Sequence, residues 1–215
     1  MKVDPAFEDP TVISSLPNVL LIGDSISIGY THPVRELLEG KANIFRPPVN
    51  CQSTIQGLRL LDEWLGDGDW SVIHFNFGLH DLKYIDESGQ MIKPREGTQQ
   101  VSIATYESNL NEIVLRLKKT NAKLIWCSTT PIPKVGSNGR IPGDDERFNQ
   151  AALRVADAHN LVTNDLHLFA LGQHESIQLK ANVHFSDQGY AILGIQVAKV
   201  IETVLAQCEN VRDSV

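Results

Sequence analysis

The feature that most constrains this chain is the alternation of short, unbroken apolar runs with segments of helical periodicity. Val19-Leu20-Leu21-Ile22 is apolar at every position, as a strand must be when both faces of its sheet are covered. It ends in Gly23-Asp24-Ser25, a tight turn. Pro33–Glu39 predicts a helix with proline at its first position, and Asn43–Arg46 a short strand stopped by Pro47-Pro48. Ile55, Leu58, Leu61, Trp64 and Leu65 recur at helical spacing up to Gly66. Trp70–Phe77 predicts a third strand, and Ile103–Lys119 an amphipathic helix striped by Leu110, Ile113, Val114 and Leu117. Leu124–Cys127 and Leu161–Asn164 read as strands four and five, with helices over Phe148–His159 and Asp187–Gln207. Five strands with helices between them predict an α/β fold, a three-layer sandwich with right-handed crossovers. The whole of 1–215 reads as a single domain, with 1–17 as an N-terminal extension. Residues 86–100 and 134–146, polar and rich in glycine and proline, are expected as loops on the pocket rim.

Charge and composition exclude several partners. Nineteen basic against 26 acidic side chains leave a net charge of −7, the wrong sign for a nucleic-acid or anionic-membrane surface. No unbroken apolar run approaches the roughly 20 residues that span a bilayer. Cys51, Cys127 and Cys208 are odd in number and widely spaced, with no CxxC or zinc pattern, so reduced thiols are expected. Residues 1–10 carry early acids and prolines and no apolar segment of a signal peptide. If Met1 is the native start, a cytoplasmic address follows.

In open α/β sheets, ligands bind beyond the carboxyl ends of the strands. Strand one ends at Gly23-Asp24-Ser25, strand three at Gly78-Leu79-His80-Asp81, and strand two runs into Asn50-Cys51-Gln52-Ser53-Thr54. Val183-His184-Phe185-Ser186 precedes the closing helix. A serine hydroxyl is unreactive alone; a neutral imidazole that takes its proton makes it a nucleophile toward a carbonyl. A serine on the first turn and a late histidine supply that pair.

These blocks, in this order, resemble the SGNH (GDSL-type) hydrolases, a superfamily of flavodoxin-like esterases with a five-stranded parallel sheet. The resemblance runs from about Val19 to Ala206. It implies Ser25 as nucleophile and His184 as general base. It also implies an oxyanion hole formed by the Ser25 N–H, a second N–H placed at Cys51 by the spacing to Gly57-Leu58, and the His80 side chain. His80 stands where the family has asparagine, and Cys51 where it has glycine. The acid expected three residues before His184 is replaced by Ala181, leaving a backbone carbonyl, Asn182, water, or an acid such as Asp165 or Asp187 to orient the imidazole. The segments Thr129–Pro133 and Arg147–Ala152 are similar to the carbohydrate-esterase branch. A small-molecule or sugar ester is therefore the expected substrate, with no metal or organic cofactor implied.

Other readings stand beside these. Ser25 alone could be an N-cap, and His184 a satisfied histidine before a helix. The Ala181 and His80 departures suit a catalytically impaired descendant that binds a glycan or acyl ligand; a thioesterase or lysophospholipase is the other reading within the fold. His74, His80 and Asp81 match no metal-ligand spacing. His74 is expected to pack in the interior and Asp81 to cap its turn, while Asp144-Asp145-Glu146 reads as a solvated face. Trp64, Trp70 and Trp126 are expected in the core, and Cys51 has no dedicated base.

Overall fold

The computed structural model of the chain describes residues 4–135 and 139–212. Five strands, β1 (Asn18–Ile22), β2 (Asn43–Phe45), β3 (Val72–Phe75), β6 (Lys123–Cys127) and β7 (Val162–Asn164), form one parallel sheet in the order β2-β1-β3-β6-β7. Residues Val19, Leu21 and Ile22 have no exposed surface, because helices cover both faces. On one side lie α1 (Ser25–Leu37) and the closing helix α7 (Asp187–Arg212), packed together, with the short α5 (Leu166–Leu171) and α6 (His174–Ile177) against α7. On the other, α3 (Ile103–Leu117) packs between α2 (Thr54–Leu65) and α4 (Asp144–Ala158). This is the α/β/α sandwich that the apolar pattern predicts.

Several boundaries differ from the sequence reading, each for a local reason. The first helix begins at Ser25 and carries Pro33 in its interior. Asp24 caps it by accepting from the Ile26 N–H at 2.9 Å, and a start eight residues earlier than the proline is thereby fixed. Residues 86–100 are not wholly irregular: β4 (Tyr84–Ile85) pairs antiparallel with β5 (Thr98–Gln99), strands too short to show a period. The helix expected from Phe148 begins at Asp144, and Asp144 and Asp145 are buried rather than solvated. Asp145 accepts from the ring of His167 at 2.8 Å and from the N–H groups of Ile132 and Gly143. Within the expected rim loop 134–146, residues 136–138 lie outside the described residues, as do 1–3 of the N-terminal extension.

Asp187–Cys208 in α7 is long and apolar enough to cross a membrane by length and composition alone. Its apolar stripe is occupied in the fold: Leu193, Val197 and Ile201 are fully buried. The axis of this packing is a close approach of α1 and α7. A Cβ built on Gly29 would lie 2.3 Å from the Tyr190 ring.

Gly29→Ala sets two effects against each other. Helix propensity favours alanine by about 1 kcal/mol, whereas displacing a ring in a packed interface costs about 1–3 kcal/mol. The overlap extends over three ring atoms, so the second effect wins. The variant is expected to lose on the order of 1 kcal/mol, read as a lower urea midpoint at unchanged m-value; a midpoint at or above the parent would refute this packing.

Candidate active site

Parallel strands deliver their carboxyl ends to one edge, and the sequence blocks meet there. Ser25 follows β1 as the first residue of α1, where an N–H has no carbonyl one turn back and is left directed outward. The turn before it is pinned from below by Arg46, a buried guanidinium that donates to Ser27 Oγ and Thr31 Oγ1 (both 3.1 Å) and to the carbonyls of Pro47 and Val49. Burial lowers its pKa and the nearby Arg35 adds to that, while Cys51, Tyr30 and Asp24 oppose it.

Ser25 Oγ and His184 Nε2 are 2.9 Å apart although 159 residues separate them in the chain. The His184 loop is fastened by a Gln178–Phe185 bridge and by Gln178, whose amide donates to the Pro131 carbonyl beyond β6. On the far side of the imidazole, Nδ1 lies 2.8 Å from Asn182 Oδ1. The same oxygen accepts from the His184 backbone N–H at 3.1 Å. A backbone N–H can only donate, so the amide atom facing it is the oxygen, and Nδ1 beside that oxygen must carry the proton. Nε2 is then the acceptor facing the Ser25 hydroxyl, the tautomer a general base requires.

Asn182 thus occupies the orienting position that the sequence left open. Asp165 is engaged elsewhere, accepting from Ser128 Oγ and the Leu168 N–H. Ala181, where the resemblance places an acid, takes φ 56°, a left-handed conformation that a side chain disfavours. That turn carries the chain to the point where Asn182, one residue later, meets the ring.

His80 follows β3 on the same edge. Its Nδ1 is buried with no hydrogen-bond partner among the described residues. Burial lowers its pKa, Asp24 opposes, and Lys83, Arg140 and His184 add to the lowering, which favours the neutral ring. Cys51 requires a correction. Its N–H donates to the Gly23 carbonyl at 3.2 Å, so the donor expected there is already engaged, and the positive φ falls on Gln52 instead. Its thiol is fully buried and pushed up to about 12, which removes it as a nucleophile near neutral pH.

The remaining candidates are scaffolding. His74 is buried in mid-sheet, lowered to about 3 by burial and held neutral against the Asn164 amide at 3.1 Å. Asp81 is fully buried and accepts from the Thr54 N–H and Oγ1 at 2.9 and 2.5 Å, tying the β3 loop to the start of α2. Trp64 and Trp126 are in the core, and Trp70 is half-buried against it. Among the described residues no group of three or more histidine, cysteine or acidic side chains could hold a metal ion. A depression of about 1040 Å³, lined among others by Asn18, Ser71, Lys123 and Val162, opens at the amino ends of the strands, on the edge opposite this chemistry. Sequence reasoning missed Arg46, which no motif marks.

Comparison with known proteins agrees with this fold. The model of the GDSL-like lipase/acylhydrolase family matches residues 21–192. No curated protein matches. Among solved structures, a lipase/acylhydrolase from Enterococcus faecalis aligns with a TM-score of 0.71 at 19% identity, covering 87% of this chain and 96% of its own. An acetyl xylan esterase aligns at 0.69 and 16% identity, covering 86% and 99%. An acetylxylan esterase from Geobacillus stearothermophilus gives 0.69 and 16%, covering 85% and 93%. At these identities the likeness to the solved structures is one of fold.

Asp81 yields a test of how this edge is built. Desolvation raises its carboxyl to about 7, against the two Thr54 hydrogen bonds that lower it. A folded-state value above the unfolded one means that the native state holds the proton more tightly, so its stability falls as pH rises from about 4 to about 7. Asp81→Asn removes that titration. The variant is expected to compare with the parent more favourably at pH 8 than at pH 5 in urea melts, and an equal difference at both would show that Asp81 does not titrate in this window.

Proposed function

The chain belongs to the GDSL-like lipase/acylhydrolase family, and on that footing we propose that it is a serine ester hydrolase for short-acyl carboxylic esters, with acetylated carbohydrate as the substrate class. The observation that carries the reading is the relay Ser25 Oγ–His184 Nε2–Nδ1–Asn182 Oδ1, at 2.9 and 2.8 Å. Ser25 attacks the acyl carbonyl while His184 takes its proton. The tetrahedral oxyanion is met by the Ser25 N–H and the His80 ring, donors fixed before charge develops on the oxygen. His184 then returns the proton to the leaving alkoxide, and water activated by the same imidazole releases the acyl group from Ser25. No metal or organic cofactor enters this route.

The sugar assignment draws support from the acetyl xylan esterases of like fold and from the Thr129–Pro133 and Arg147–Ala152 segments. The neutral partner of His184 sets the expected rate. An amide oxygen holds the ring and its tautomer but stabilises the transient imidazolium only as a dipole, where a carboxylate would add a full charge. This same feature favours a second reading, a ligand-binding descendant of the fold.

Hydrolysis of p-nitrophenyl acetate, butyrate and octanoate separates the readings. The proposed enzyme is expected to prefer acetate and to lose at least about a thousandfold in kcat on Ser25→Ala. Turnover no higher than that of Ser25→Ala would leave the binding descendant. Activity that climbs with chain length would indicate an apolar acyl slot, worth about 0.8 kcal/mol per buried CH₂, and a thioesterase or lysophospholipase.

Asn182→Asp places a negative charge on Nδ1–H. An adjacent anion favours the imidazolium and raises the His184 pKa. The acid limb of the kcat/KM profile is expected to move to higher pH while the alkaline plateau rises, by about tenfold or more on the scale of general-base effects. An unmoved limb would show that Asn182 does not act on the imidazole.

A further inference from the structure

Ser53 stands where a serine ordinarily caps a helix, and it does not cap. It precedes α2 with extended backbone (φ −94°, ψ 169°), and its carbonyl accepts from the Gly57 N–H at 2.9 Å. A serine there normally turns its oxygen onto an N–H of the first turn, but the Ser53 side chain makes no such bond. The start of α2 is held by Asp81 instead, whose Oδ1 accepts from both the N–H and the Oγ1 of Thr54, while Asn109 donates to that same Oγ1 at 3.1 Å. Among the described residues the Ser53 hydroxyl has no hydrogen-bond partner, although the residue keeps only 2% of its surface. Nor is its oxygen sealed in with the buried polar atoms that lack a partner, so the little surface that Ser53 keeps reaches the hydroxyl.

Two fastenings place this residue at the reacting edge. Two residues before it, the Cys51 N–H donates to the carbonyl of Gly23, itself two residues before Ser25, at 3.2 Å. One residue after it, Thr54 is tied to Asp81, the neighbour of His80. The three links from Cys51 to Thr54 reach at most about 11 Å, so this short loop bridges the Ser25 turn and the His80 turn and holds Ser53 between them. Gln52, at φ 55°, bends the bridge at a cost in backbone strain of the kind that gathers at functional sites. Resting on the ester-hydrolase reading, we infer that Ser53 Oγ is a catalytic donor of the oxyanion hole, in the place that the engaged Cys51 N–H does not fill. As Ser25 attacks, the carbonyl becomes a single C–O⁻ bond, and the Ser53 hydroxyl donates to that oxygen while keeping its own proton. A hydroxyl with no partner in the resting site is engaged only as charge develops on the substrate, which is the condition for lowering the barrier instead of tightening the ground state. The positive end of the 12-residue α2 acts with the same sign.

Ser53→Ala tests the role, because no hydrogen bond among the described residues is lost with the hydroxyl. The variant is expected to keep the parent's urea midpoint and to lose about a hundredfold in kcat on p-nitrophenyl acetate, with KM changed by less than about threefold. Ser53→Cys, similar in size but a weaker donor, should fall between the two. A second substrate makes the readout specific to the oxyanion: the thionoacetate analogue, whose carbonyl sulfur accepts hydrogen bonds poorly. Removal of an oxyanion donor should slow the acetate far more than the thionoacetate, so that the ratio of their kcat/KM values shrinks by about tenfold or more. A loop merely loosened by the substitution would slow both esters alike. An unchanged kcat, or equal losses on the two esters, would therefore overturn the assignment while Ser25-dependent turnover by the parent still upheld the ester-hydrolase reading. Turnover by the parent no faster than by Ser25→Ala would overturn that reading, and the donor role with it.

Discussion

All five strands of the main sheet run the same way, and the rest of the molecule follows from that constraint. A parallel sheet cannot close its connections as hairpins; each strand must be followed by a crossover that covers a face. The crossovers bury both faces, which demands strands apolar at every position, and they leave every strand exit on one edge. Ser25, His80 and the Pro131 carbonyl that holds the His184 loop therefore converge without any local sequence relation between them. The hydrogen bond between Ser25 and His184 spans 159 residues because β1 and α7 are the first and last members of one packed unit.

The relay at that edge is built without a carboxylate. In the familiar serine triad a buried carboxylate both orients the imidazole and stabilises its cation. Here the two duties are separated. Asn182 Oδ1, committed by the His184 backbone N–H, fixes the tautomer as firmly as a carboxylate would, yet contributes no charge.

Around it, buried polar groups act as struts between loops. Arg46 links β2's exit to the first turn of α1; Asp81 links the β3 loop to α2. Asp145 and His167 join the starts of α4 and α5, with the His167 N–H held by Ser128 Oγ at the end of β6. Each is placed where a loop leaves the sheet. Loops carry unpaired backbone groups that the core cannot satisfy, so side chains must supply the partners. This explains why Asp144 and Asp145, read from composition as solvated, are buried: a run of acids at the start of a helix can serve as its cap and as acceptors for the neighbouring loops.

The sheet and most helices were legible because they rest on periodicity, a property of short windows of sequence. Gly23-Asp24-Ser25, His80 and His184 were legible because they end or precede such windows. The start of α1 was not, since Pro33 imitates a helix's first position while the true start depends on the Asp24 cap. The two-residue strands of the hairpin were likewise too short for any pattern to register. The engaged Cys51 N–H and the orientation of the Asn182 amide had no signal at all. The sequence by itself determined which segments become strands and helices and which residue types stand at the strand ends. Only the tertiary structure decided which of those residues touch, because a hydrogen bond of about 3 Å depends on the packing of whole elements, and no local pattern encodes the position of one loop relative to another.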